Sequence, residues 1–175
     1  TVINSSGGAG ILDGRLVLSN NLTLTERFTL GARQQGTLNS AHIINAADIN
    51  TLTGTNTLTT GGSRYNLQAD AGKLIVAGVT TAGTLTGTRE FRVAGAAEGE
   101  LRGPILGGGA SILFYLIKDG SGLWTLTGTN SVNGITLISA GQLALGPNGS
   151  LVGSTNITVA AGATQPRADV ARGPA

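Results

Sequence analysis

The chain contains no cysteine and no methionine, one histidine, one tryptophan, and few aromatic or charged residues. Each shortage excludes something. Without cysteine there is no disulfide framework and no thiolate metal site, although the redox compartment stays open and export is allowed. Aromatics at 3% beside 40% apolar residues exclude a deep core built on large rings and suit thin layers of Val, Ile, Leu and Ala. Charge at 11% with a mean hydropathy of +0.19 excludes a disordered polar chain. No apolar run reaches the ~20 residues of a membrane-spanning helix. The best candidate, from Ala110 to Ile117, is only strand length, so no membrane insertion by this chain is expected. The chain opens on Thr1 without any methionine, which fits a processed mature product or a piece of something longer.

What is abundant is glycine, 29 residues in 175, without the Gly-X-Y period of collagen. Between the glycines run short apolar and polar alternations. Trp124-Thr125-Leu126-Thr127 and Ile135-Thr136-Leu137-Ile138 each place every second side chain on one face, as a strand with one buried side requires. Gly128-Thr129-Asn130 and Gly146-Pro147-Asn148-Gly149 supply the corners between such strands. Short alternating strands divided by sharp corners predict an all-β, stacked β-solenoid.

Within residues 116–165, Lys118, Gly120, Gly122, Trp124, Leu126, Gly128, Asn130, Gly134, Thr136, Ile138, Gly141, Leu143, Leu145 and Gly146 follow one spacing. That spacing resembles the passenger-associated transport repeat, also called the autotransporter-associated β-strand repeat. Its pattern runs K-x-G-x-G-x-[LW]-x-L-x-G-x-N-x-x-x-G-x-T-x-[IV]-x-x-G-x-L-x-[LVI]-G. The family often has an aromatic residue where Val132 stands and Thr or Gly where Ile135 stands. The resemblance implies an autotransporter passenger domain: a right-handed parallel β-helix exported to the surface of a Gram-negative bacterium. The structural repeat residues it marks are Gly120, Gly122, Trp124, Leu126, Gly128, Asn130, Gly134, Thr136, Gly141, Leu143, Leu145 and Gly146.

The same grammar extends toward the N-terminus. Gly14 to Leu18, Leu22 to Thr25 and Phe28 to Leu30 read as strands divided by Asn20-Asn21 and by glycine. Ile43 to Ile49 could form a helical turn but is assigned to strand and corner. Tyr65–Ala69 and Lys73–Val76, flanking Asp70-Ala71-Gly72, admit a hairpin as well as two successive solenoid strands. The pentapeptide Thr-Leu-Thr-Gly-Thr begins at Thr51, Thr84 and Thr125, a sign of internal repetition. At roughly 20–25 residues per coil the chain makes about seven to eight coils, a rod about 35 Å long. Residues 1–164 form a single solenoid domain, and 165–175, where alternation stops between two prolines, a flexible tail or linker. Neither terminus offers a capping helix, so the solenoid ends are expected to be open edges.

Chemistry has little to stand on. His42 is the only histidine, expected to be structural or exposed, and its replacement by alanine is expected to change nothing. There is no G-x-S-x-G elbow, H-E-x-x-H or P-loop lysine. Asp13, Asp48, Asp70, Asp119 and Asp169 are isolated, mostly beside glycine, where aspartate makes turns. Gly7-Gly8-Ala9-Gly10-Ile11-Leu12-Asp13 approaches a calcium nonapeptide, but its aspartate lies one residue too far and no second copy follows. Thr-x-Thr pairs do not recur once per coil as an ice-binding plane requires. A net charge of +2 comes from arginines scattered singly, so no nucleic-acid partner is expected. Glu98, Glu100 and Arg102 fall on one strand face, read as the solvent side of a coil. The expectation is a non-enzyme with no catalytic residue, cofactor or metal.

Two function classes follow. The first is a non-catalytic structural protein of the bacterial cell surface, extracellular after export. It would form an adhesin stalk or the subunit of an extracellular fibre. Its partner would be itself, through end-to-end stacking or donation of a strand such as Thr1-Val2-Ile3-Asn4. The second is a cleaved passenger fragment that binds or processes glycans, its partner a surface glycan or host receptor. For that reading only Trp124, Tyr65 and Tyr115 are available to stack on sugars, and Trp124 shares its face with Leu126, which places it in the core.

Overall fold

The computed structural model describes residues 2–3, 14–33, 41–107 and 109–161. Within them the chain winds in repeating turns of three strands each. The first turn contains β1 (Val2–Ile3), β2 (Leu16–Leu18) and β3 (Thr23–Leu24); the second β4 (Thr29–Ala32), β5 (Ile43–Asn45) and β6 (Ile49–Leu52). The third holds β7 (Asn56–Gly61), β8 (Arg64–Ala69) and β9 (Lys73–Val76); the fourth β10 (Val79–Thr81), β11 (Gly87–Ala94) and β12 (Glu98–Leu101). The fifth holds β13 (Ile105–Leu106), β14 (Ile112–Lys118) and β15 (Leu123–Leu126); the sixth β16 (Thr129–Ser131), β17 (Ile135–Ile138) and β18 (Gln142–Leu145). Strands β19 (Ser150–Val152) and β20 (Asn156–Val159) begin a seventh.

Each strand pairs in parallel with its counterparts one turn before and after, giving sheets of seven, seven and six strands. We call them sheets A (β1 to β19), B (β2 to β20) and C (β3 to β18). The architecture is the parallel β-solenoid that the alternation predicted. It has six complete turns and part of a seventh, slightly fewer than the seven to eight expected. At ~4.8 Å per rung the described stack is about 30 Å long.

The coil count is lower because early turns are long. Leu16 pairs with Ile43 and Thr23 with Thr51, turns of 27 and 28 residues. Leu116 pairs with Thr136 and Leu123 with Gln142, turns of 20 and 19. Much of the excess lies between sheets A and B, where a longer connection leaves the three strands of a turn unaltered. The hairpin at 65–76 is corrected: β8 and β9 belong to different sheets, and Asp70-Ala71-Gly72 is a corner between them. Two of the three pentapeptide copies are equivalent. Leu52 and Leu126 end strands of sheet C, and Asn56 and Asn130 are the first and second residues of the following strands of sheet A. The copy at Thr84 runs from the connection between sheets A and B into the start of β11, its Leu85 buried.

The interior is a set of columns parallel to the axis. One runs Ile43, Leu67, Val93, Lys118, Ile138 and another Leu52, Val76, Leu101, Leu126, each matched by ladder register and fully or almost fully buried. Phe91 and Phe114 stack on adjacent turns with ring centroids 6.3 Å apart. Ion pairs link charged side chains within and between neighbouring strands: Arg64 bonds Glu90 at 2.8 Å, Arg92 pairs with Asp119, and Glu100 takes both Lys73 (2.8 Å) and Arg102 (2.9 Å). Glu98 and Arg102 are exposed as read from the sequence, and Glu100 is only partly so. Burial alone would raise its carboxyl, but the bonds from Lys73 and Arg102 outweigh that and hold it below its ordinary range.

Candidate functional site

The repeat residues occupy one turn and the next strand of sheet C. Lys118 ends β14, Gly120 and Gly122 form the corner from sheet B to sheet C, and Trp124 and Leu126 are the inward residues of β15. Gly128 turns the corner into β16, whose Asn130 points inward; Gly134 precedes β17, which buries Thr136. Gly141 makes the next corner, Leu143 and Leu145 lie on β18, and Gly146 follows it. The corner glycines are backbone requirements. Gly120 and Gly141 stand at φ +72° and +64°, and a Cβ on either would run into backbone of the turn before, Gly95 beneath Gly120 and Gly120 beneath Gly141.

Inside the corner between sheets B and C, backbone carbonyls of successive turns point at the core and must find donors away from water. The chain supplies them from unrelated side chains. Asn45 Nδ2 donates to Asp48 O (3.0 Å) and Ala71 O (2.6 Å), and Asn50 Nδ2 to Ala47 O (2.7 Å). Trp124 Nε1 donates to Ala94 O at 3.0 Å. Lys118 Nζ donates to Asp119 O and Gly120 O, both 2.7 Å, and to Ala140 O at 3.2 Å. A polar thread thus runs along one inner edge of an otherwise aliphatic core. On sheet A, Asn130 links three turns: its Oδ1 accepts Ile105 N–H, and its Nδ2 donates to Gly128 O and Ser150 O.

Burial pushes the Lys118 amine down to about 8, against the opposing attraction of Asp119, and pushes the Tyr65 phenol up to about 12, against Arg89. The signs differ. Between about pH 8 and 10.5 the unfolded lysine keeps a proton that the folded one has released. The unfolded state binds more protons there, so stability rises with pH. Above pH 10 the unfolded tyrosine loses a proton that the folded one holds to about 12, and stability falls. Urea midpoints should therefore peak near pH 10, with Lys118→Met abolishing the rise and Tyr65→Phe the fall.

His42 is fully buried at the corner between sheets A and B. Its Nδ1 accepts Asn66 N–H at 3.2 Å, which leaves Nε2–H to donate to Gly31 O at 2.8 Å. The histidine is structural, and the expectation that its loss changes nothing is corrected. His42→Ala should cost about 2–4 kcal/mol, from a cavity and two lost buried bonds, measured as a shift in urea midpoint. Sequence reasoning missed it, with Asn45, Asn50 and the buried Lys118, because no local pattern marks where carbonyls of different turns converge.

Among the described residues no three His, Cys, Asp or Glu side chains converge in a way that could hold a metal ion. Gly7–Asp13 and the segment 165–175 lie outside the described residues. Val2–Ile3, considered for donation to a neighbour, pair with Thr29 and Leu30 of their own chain. A shallow cup of about 260 Å³ on sheet B is lined by Asn66, Gln68, Arg92 and Asp119 over Ala94, Gly95 and Gly120, and its Arg92 and Asp119 are bonded to each other.

The C-terminal end differs from the rest of the rod. Leu145, Ile157 and Val159 lie in the inward columns of Leu126, Thr136 and Ile138, yet stand 50%, 48% and 41% exposed. Among the described residues, strands β18, β19 and β20 have no neighbour on their outer side. No charged residue stands between Asp119 and Arg167, so the edge has none of the lysine or proline blunting usual on exposed strands, apart from Pro147 in a turn. No family model matches the chain, and no curated protein or solved structure is significantly similar to it.

Proposed function

We propose that the protein is a non-catalytic structural module of a bacterial cell surface, a solenoid segment of an adhesin stalk or extracellular fibre that associates through its open ends. The observation that carries the reading is the stack of three parallel sheets, which among the described residues ends at β18, β19 and β20 over the half-exposed Leu145, Ile157 and Val159. Such an end is a template for further β-structure and is unfavourable in water. The interior supports the same reading, since its buried polar groups are engaged in holding turn to turn. The resemblance of residues 116–165 to the passenger-associated transport repeat adds export and the Gram-negative surface to the proposal.

Electron microscopy of native material tests it. Rods or filaments whose axial repeat is a multiple of about 30 Å, the length of one described stack, are the expected result. Isolated monomeric particles at every concentration would overturn it.

A further inference from the structure

Asparagine followed by glycine occurs at Asn133-Gly134 and again at Asn148-Gly149. The pair is chemically labile. Glycine carries no Cβ, so the main-chain nitrogen after the asparagine can approach the side-chain amide carbon closely enough to attack it. The fold treats the two pairs in opposite ways.

Asn133 is tied by both ends of its amide to the turn before, its Oδ1 accepting Phe114 N–H at 2.8 Å and its Nδ2 donating to Ile112 O at 2.6 Å. The attacking nitrogen is held as well. Gly134 N–H donates to Phe114 O at 2.9 Å, and Gly134 lies so close to the Tyr115 ring that a Cβ there would enter it. These partners all belong to β14. Asn148, by contrast, stands exposed in the turn Gly146-Pro147-Asn148-Gly149 that joins β18 to β19, and its side chain makes no hydrogen bond among the described residues. Its neighbour Gly149 donates its N–H to Gly146 O at 2.8 Å, a bond inside the same turn that opens without parting one strand from another.

From this contrast we propose that Asn148 is a site of spontaneous covalent modification in the folded protein, and that Asn133, of the same sequence type, is protected. The nitrogen of Gly149 bonds to Cγ of Asn148 and closes a succinimide ring. The bond from Cγ to Nδ2 breaks, and Nδ2 leaves as ammonia with the proton that the Gly149 nitrogen gives up. Water then opens the ring at either carbonyl, leaving aspartate or isoaspartate. Nothing is oxidised or reduced. The product places a carboxylate in the stretch from Gly120 to Pro166, which has no charged side chain, and isoaspartate also lengthens the main chain at the corner between sheets C and A. The chemistry is local and does not depend on the assembly role proposed above.

The full chain is incubated in mildly alkaline buffer, with and without urea, until both asparagines convert in the urea sample, and is then mapped by peptide mass spectrometry. Trypsin leaves both in one peptide, since no lysine or arginine lies between Lys118 and Arg167, so cleavage after Leu143 or fragment ions must separate them. In the folded protein Asn148 should convert about tenfold or more faster than Asn133, because reaction at Asn133 must first break its bonds to β14. In urea the two rates should converge. Asn148→Gln, whose longer side chain disfavours ring closure, should abolish conversion at 148 while leaving circular dichroism and the slow rate at Asn133 unchanged. Equal rates at the two asparagines in the folded protein would overturn the proposal, as would an Asn148 that converts in urea but not in native buffer.

Discussion

Leu126→Asp unfolds the C-terminal turns of the rod while leaving the N-terminal turns folded. Leu126 is fully buried, in register between Leu101 and Leu145. An unpaired charge there costs on the order of 5 kcal/mol or more, beyond what one turn of a solenoid gains from its neighbours. Each turn is stabilised only by the turns that flank it, so the damage stays local in origin and spreads toward the open end. Amide hydrogen exchange checks this: β15 to β20 should lose protection, and β4 to β9 should keep it. Leu126→Met, which conserves volume, should cost less than about 1.5 kcal/mol. Leu145→Asp, one turn further along the same column, should leave the single chain folded because Leu145 is half exposed. Equal damage from Leu126→Asp and Leu145→Asp would disprove the open-end geometry.

Trp124→Ala is the second large effect. The indole is the bulkiest fully buried side chain; it lies directly over Gly99 and donates to Ala94 O. Its removal opens a cavity worth about 3–5 kcal/mol and strands a buried carbonyl, worth about 1–3 kcal/mol more. Trp124→Phe should recover most of the first loss and none of the second. Gly99→Ala attacks the same contact from below, since a Cβ at Gly99 would enter the indole ring. Urea denaturation should rank Trp124→Ala as the most damaging, Trp124→Phe as the mildest, and Gly99→Ala between or near the first. A Trp124→Ala protein as stable as wild type would place the indole outside the core.

How much of this was legible depended on the range of the interaction. Strands such as Ile135–Ile138 and Leu123–Leu126 were readable because alternation is a property of neighbouring residues. The corners at Gly128 and at Gly146 to Gly149 were readable for the same reason. The reading of Ile43–Ile49 as strand and corner was sound, since Asp48 takes the left-handed conformation and separates β5 from β6. The region 65–76 was ambiguous, because the same turn chemistry serves a hairpin and a solenoid corner. Only the pairing of β8 with β5 and β11 resolves it.

By itself the sequence determined the all-β class, the inward and outward faces of most strands and the position of the corners, all set by local periodicity and backbone preference. Tertiary structure decided which turn lies over which, and with it the number of turns and the roles of His42, Asn45, Asn50 and Lys118. It also decided why Leu126 is sealed while Leu145 is open. A residue's burial in a solenoid depends on the turns that flank it, and its polar partners lie some 20 to 30 residues away, beyond the reach of any local pattern.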